Sequence, residues 1–177
     1  MGYHSRKMLF FFLLGTLIAS LILSCGMRMS VSLTGGSVHP EAKTAYVGVF
    51  VNNAPLVNPT LSQEFTDAVK DRIRNQTPLM VVNEQNADYT LTGEIVTYSI
   101  TPVAIQGNDM AAMNRLTIGV RVRFTNRFDE TQNFEQTISR YADYLSSLNF
   151  TSIEGGLVSQ INEAISEEIF NKAFVNW

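Results

Sequence analysis

From Asn114 to Phe128 the chain alternates almost without interruption. Leu116, Ile118, Val120, Val122, Phe124 and Phe128 share one parity, while Thr117, Arg121, Arg123, Thr125 and Arg127 share the other. A period of two sends successive side chains to opposite faces of a strand. This segment therefore predicts a long β-strand with one apolar face and one polar, basic face. Such a strand suits a sheet covered on one side and open on the other.

The neighbouring segments supply the rest of that sheet. In Asp88–Thr101, Tyr89, Leu91 and Ile95 oppose Thr90, Thr92 and Glu94. The pattern then slips to Val96, Tyr98 and Ile100, the mark of a β-bulge. Asp129–Asn133 reads as a turn, and Phe134–Tyr144 as a strand pairing back. Upstream, Ala45–Val51 (AYVGVFV) is a continuous apolar run of strand length, suited to the middle of a sheet.

Two helices frame these strands. Asn58 is a good N-cap, with Pro59 at the first helical position and Pro78 as the stop. Leu61, Phe65, Ala68, Val69 and Ile73 form one apolar stripe between them. Glu64 and Asp67 near the start, and Lys70, Arg72 and Arg74 near the end, match the helix dipole. The last helix carries a longer stripe: Ile153, Leu157, Ile161, Ala164, Ile165, Ile169, Ala173 and Phe174. Thr151 and Glu154 have capping-box spacing, and Gly155 and Gly156 weaken the first turn. The expected fold is α+β: a four-stranded mixed sheet in β-α-β-β-β-α order, with two helices packed on one face. Trp177 is expected to cap the core.

The chain is 45% hydrophobic but only 16% charged, and the excess apolarity sits at the front. His4, Arg6 and Lys7 precede an uncharged run from Met8 to Leu23 that ends at Ser24-Cys25-Gly26. The run is shorter than the ~20 residues of a spanning helix and matches a secretory signal core. A small residue before the single cysteine resembles a bacterial lipobox, although Leu23 stands where a small residue is usual. The lipobox reading implies cleavage before Cys25 and acylation of that residue, palmitate included; the alternative is an uncleaved anchor. Residues 1–24 are then the signal, 25–43 a lipidated tether with a short strand at Val31–Leu33, and 44–177 one domain. Removing Arg6 and Lys7 from the 13 basic residues leaves 11 against 16 acidic, a net −5. Neither balance suits a nucleic-acid surface. A lone cysteine also excludes an internal disulfide. With no Asp at the second mature position and no acidic cluster after it, the expected destination is the outer membrane, anchored on its periplasmic side.

Two places could carry function. Arg121, Arg123 and Arg127 share one strand face, with Arg115 beyond them. Guanidinium forks suit phosphates, but the same face could pair with Glu94, Glu135 and neighbouring threonines, or meet a protein wall. The Pro102–Met113 connection is long for a hairpin and carries Val103, Ala104, Ile105, Met110 and Met113. Long loops are often functional, and methionine suits adaptable apolar contact. The loop could touch a protein wall or acyl chains, or fold back over the sheet end. Catalysis is not expected. His39, the one histidine of the mature chain, sits in the tether as a solvated bystander, and no nucleophile elbow, phosphate loop or His-Glu-x-x-His spacing occurs. No metal site is expected, and no cofactor beyond the covalent lipid on Cys25.

Several segments together resemble the LptE family of lipopolysaccharide-assembly lipoproteins. They are Asn53 to Ser62 (NAPLVNPTLS) leading into Phe65 to Val69, Asn114 to Thr117 (NRLT), Val122 to Asn126 (VRFTN), Ser139 to Tyr144 (SRYADY) and Ile169 to Trp177 (IFNKAFVNW). The resemblance spans most of residues 31–177 and is that of a diverged branch. It implies an outer-membrane lipoprotein lodged in the lumen of an LptD-type β-barrel as a 1:1 partner. There it would plug the barrel, help it assemble and assist insertion of lipopolysaccharide into the outer leaflet. The family's basic lipopolysaccharide contacts cannot be aligned to positions in this chain. The other function class open to the sequence is a lipid-anchored periplasmic binding or scaffold module for another envelope partner.

Overall fold

The computed structural model describes residues 38–56, 58–103 and 112–175. The signal, Cys25, the strand expected at Val31–Leu33, most of the tether, Ile105, Met110 and Trp177 lie outside the described residues. Six strands and two long helices build the domain: β1 (Thr44–Val47), β2 (Val51–Asn52), α1 (Leu61–Gln76), β3 (Met80–Val82), β4 (Tyr89–Val103), β5 (Met113–Asn126), β6 (Phe134–Leu145) and α2 (Phe150–Phe174). A 3-10 turn, Glu130–Gln132, joins β5 to β6. Among the described residues no helix is long and apolar enough to cross a membrane.

The sheet is mixed and runs β3-β1-β4-β5-β6, with β2 also pairing with β4. β4, β5 and β6 form an antiparallel meander, while β1, β2 and β3 pair in parallel. The expected α+β class and helix placement hold, with six strands rather than four. One addition is β3, a short parallel edge strand after Pro78, whose three residues are too few to show a period. The other comes from the first strand, which is split in two rather than continuous.

The split has a local cause. Gly48 N–H donates to Leu91 O and Asn53 N–H to Ile95 O, so pairing with β4 resumes beyond the break. Between them Phe50 turns fully inward. Its N–H donates to Thr66 Oγ1 (3.1 Å) and its carbonyl accepts from Ser62 Oγ (2.8 Å), both on α1. The helix hydroxyls thus take the backbone groups that a sheet neighbour would have taken.

The bulge is where the slip predicted it. Ile95 pairs with Val120 and Thr97 with Gly119, leaving Val96 as the extra residue. Beyond it Tyr98 and Ile100 return to the covered face, opposite Ile118 and Leu116. That face buries Tyr89, Leu91, Ile95, Leu116, Ile118, Val120, Val122 and Phe124 beneath the helices. Phe174, near the end of α2, meets Phe124 and Tyr89 edge-on at 5.7 and 5.4 Å between ring centres.

Both helix starts differ from the expected pattern. α1 begins at Leu61 with Thr60, not Asn58, as its N-cap; Asn58 lies two residues upstream, where its Oδ1 accepts from the N–H groups of Thr60 and Leu61, each at 3.0 Å. For α2 the N-cap is Asn149, which accepts from Thr151 N–H (3.0 Å), so Thr151 is not the cap and no capping box forms. Glu154 instead reaches inward, accepting from Tyr98 Oη (2.5 Å) and Asn58 Nδ2 (2.7 Å). Burial, and then this bond, push the Tyr98 phenol well above its ordinary value. The trio ties the sheet, the start of α2 and the loop before α1 together.

Residues 38–43, expected within the tether, pack on the domain. Ala42 is buried, and His39 N–H donates to Tyr89 Oη (2.9 Å). The His39 ring, exposed on one side, stacks on Phe128 at 4.3 Å.

Candidate functional site

The helices cover one face of the sheet, and the opposite face carries the arginines. Each strand alternates there as its sequence demands. Thr90, Thr92 and Glu94 come from β4; Arg115, Thr117, Arg121, Arg123 and Thr125 from β5; Glu135, Thr137, Tyr141 and Asp143 from β6. Asymmetric burial enforces the orientation. In β5 the residues alternate strictly between buried and exposed from Val120 to Asn126.

The strand register determines which charges meet. Glu94, Arg121 and Thr137 lie in one cross-strand row, and Thr92, Arg123 and Glu135 in the next. Arg121 donates to Glu94 Oε1 at 2.5 Å, and Asn53 Nδ2 donates to Glu94 Oε2 at 2.6 Å. Arg123 donates from Nε and a terminal nitrogen to Glu135 Oε2, at 2.9 and 2.6 Å. These rows border a shallow depression of about 340 Å³, which Val51 and Asn53 close on the β2 side.

Farther along, Thr101, Arg115 and Asp143 form another row. Arg115 grips Asp143 with two parallel bonds of 2.7 and 2.8 Å and stacks 3.6 Å above the Tyr141 ring. That arrangement holds the Asp143 carboxyl below its ordinary range and raises the Arg115 guanidinium.

Arg127 lies past the end of β5. Its backbone N–H donates to Asp88 O, and it lines a different depression with Asp88, Glu130 and Asn133. Its charge also helps to lower the Asp88 carboxyl, after the Lys43 and Thr44 hydrogen bonds that do most of it. Arg121 and Arg123 therefore share one site, while Arg127 belongs to the sheet end. Three arginines of these rows, at 115, 121 and 123, pair with three carboxylates, at 143, 94 and 135, so the charges of the rows cancel.

Val103 ends β4 opposite Met113, which begins β5, and Met113 pairs in turn with Leu145. The base of the long loop therefore adjoins the Arg115 row, beside the exposed Tyr141 and Leu145. Ile105 and Met110 fall outside the described residues. The sequence reading passed over Asp143 and Tyr141. Their alternation within Phe134–Tyr144 was a signal for the face, but only the register names their partner.

Residues 42–174 match the family model described as "LptE: Lipopolysaccharide-assembly". Many solved structures are similar to this chain, and two of them show the likeness in fold. One is a minor lipoprotein from Acinetobacter baumannii, with 13% identity and a TM-score of 0.50, covering 74% of this chain and 91% of that one. The other is a hypothetical protein from Chlamydia trachomatis, with 9% identity and a TM-score of 0.51, covering 75% and 98%. No curated protein matches the chain.

Proposed function

The chain belongs to the LptE family of lipopolysaccharide-assembly proteins, and from that premise we propose that it is the lipoprotein subunit of an outer-membrane lipopolysaccharide translocon, seated with its open sheet face against the wall of an LptD-type β-barrel. A part in lipopolysaccharide assembly follows from the family. The subunit would plug the barrel, help it assemble and assist lipopolysaccharide insertion into the outer leaflet. Acyl chains on Cys25 would hold it to the periplasmic side of the outer membrane, each buried CH₂ contributing about 0.8 kcal/mol. Its role is structural rather than catalytic, and it needs no cofactor beyond that lipid.

The observation that carries the barrel reading is the charge balance of the open face. A lipopolysaccharide phosphate bound there would meet the Glu94 and Glu135 carboxylates beside guanidinium groups whose charge they already balance. A polar protein wall can add hydrogen bonds at the edges of those pairs without separating them.

Affinity capture of the tagged full chain from detergent-solubilised envelopes tests this reading. A very large β-barrel should be recovered in near-equal amount. Arg121→Gln, Arg123→Gln and Arg127→Gln together should reduce that recovery and leave lipopolysaccharide binding intact. Weaker, salt-sensitive lipopolysaccharide binding by the triple variant would instead make the face a phosphate site. If the wild-type chain brings down no barrel, the translocon reading falls.

A further inference from the structure

β6 is the last strand on its side of the sheet, and among the described residues no strand pairs beyond it. Its 12 residues all pair with β5 without a register shift. The edge is therefore straight and about 40 Å long. A row of unpaired backbone groups of that length is a template for a further strand. The opposite edge differs, because β3 has only 3 residues. Long edges are blunted by proline, by a bulge or by a charge turned toward the covered face. β6 contains neither proline nor a bulge.

The charge is present. Phe134, Gln136, Ile138, Arg140, Ala142 and Tyr144 share the parity that faces α2, where Gln136 bonds Lys172. Ile138, Ala142 and Tyr144 are buried there. Arg140 is the one full charge among them, and its side chain remains 48% exposed. It pairs with Glu168 on α2 and donates to the Ser139 carbonyl of its own strand at 2.9 Å. The guanidinium is thus held between the strand and the helix rather than swung into solvent.

A second copy is the strand most readily added, because an antiparallel pair about a two-fold axis uses the same edge twice. Two registers overlap most while keeping the covered faces together. Centred on Ser139, the pair sets Phe134 across from Tyr144 and Arg140 across from the buried Ile138. Centred on Arg140, it sets two guanidinium groups across from each other. The first register takes an ion pair out of water against an apolar side chain, and the second opposes like charges. One side chain makes both unfavourable.

We propose that the β6 edge is a pairing surface for a second copy of this chain, and that Arg140 keeps it closed so that the chain stays a single copy. Edge pairing involves this chain alone, so the proposal does not depend on the barrel reading.

The test is sedimentation equilibrium of the full chain in density-matched detergent over a range of concentrations. The wild type should sediment as a single copy. Arg140→Thr replaces the charge with a β-branched residue that suits both registers. It should self-associate with a dimer dissociation constant at least about tenfold lower than that of the wild type. Because Glu168 Oε2 is buried and Arg140 is its cation, Arg140→Thr with Glu168→Gln decides if the single variant fails to fold. Arg140→Lys keeps the charge and should remain a single copy. So should Arg74→Thr, which removes a similarly exposed, ion-paired arginine from α1. In the associated form, backbone amide exchange should slow within β6 and not within β3. A dimeric wild type, a folded Arg140→Thr or double variant that stays a single copy, equal association of Arg140→Lys or Arg74→Thr, or dimers without added protection of β6 would each overturn the proposal.

Discussion

Phe50 lies so close over Gly93 that a Cβ on the glycine would stand 2.7 Å from the aromatic ring and 2.2 Å from the Arg121 carbonyl. Gly93 faces the core at mid-strand, where glycine normally weakens a sheet. Here the missing side chain makes room for the residue that splits the first strand and ties it to α1.

Gly93→Ala should therefore be among the most destabilising small substitutions in the domain, costing about 1–3 kcal/mol as an overpacking change. Gly156→Ala is its opposite. Gly156 is helical, and a Cβ there meets nothing within 4 Å. That change should stabilise by about 0.5–1 kcal/mol, because alanine loses less backbone freedom on folding. Denaturant midpoints for the two variants should move in opposite directions.

Phe124 and Arg123 are neighbours in sequence and lie on opposite faces. Phe124→Ala removes a ring that is 1% exposed and contacts Phe134, Phe174 and Tyr89. It should cost about 3–5 kcal/mol. Arg123→Ala breaks an ion pair whose side chains are 65% and 47% exposed, and should cost under ~1 kcal/mol. Equal losses in chemical melts would contradict the face assignment.

Acid should loosen the domain through particular carboxyls. The Lys43 N–H, supported by the Thr44 hydroxyl and N–H, lowers Asp88; Arg115 lowers Asp143; and the Thr131 hydroxyl and N–H lower Asp129. A carboxyl whose folded value is depressed stabilises above its unfolded value, here 3.8. That contribution is lost as pH falls through the folded value. Stability from these groups should thus be level from neutrality to about pH 5 and fall below about pH 4. Asp88→Asn should flatten part of that fall, as read from denaturant midpoints across the range.

Cys25 is proposed as the acylated first residue of the mature chain. Cys25→Ala should abolish palmitate labelling and leave a longer, unprocessed protein in gels. Continued labelling of the alanine variant at normal size would contradict lipidation at this position.

What was legible in the sequence was what local periodicity controls. The alternation of β5 identified the buried face and the arginine face, and the slip after Ile95 located the bulge, because a period of two ties each side chain to one side of the strand. The helical stripes named Leu61, Phe65, Val69, Ile73, Ile161, Ile165 and Ile169 as core for the same reason. Local chemistry misled where a distant partner competed for a group. Glu154 has the spacing of a capping residue, but Tyr98 and Asn58 claim it from 56 and 96 residues away. Phe50 belongs to an unbroken apolar run, but Thr66 and Ser62 draw its backbone out of the ladder.

The sequence by itself determined the two faces of β5, the bulge after Ile95 and the buried stripes of the helices, since those follow from spacing along the chain. The tertiary structure alone decided that Arg121 meets Glu94, that Arg115 meets Asp143 and that Asn162 lies buried without a partner between two helices. Those outcomes depend on strand register and helix packing, which bring together groups whose separation along the chain carries no information about their distance in space.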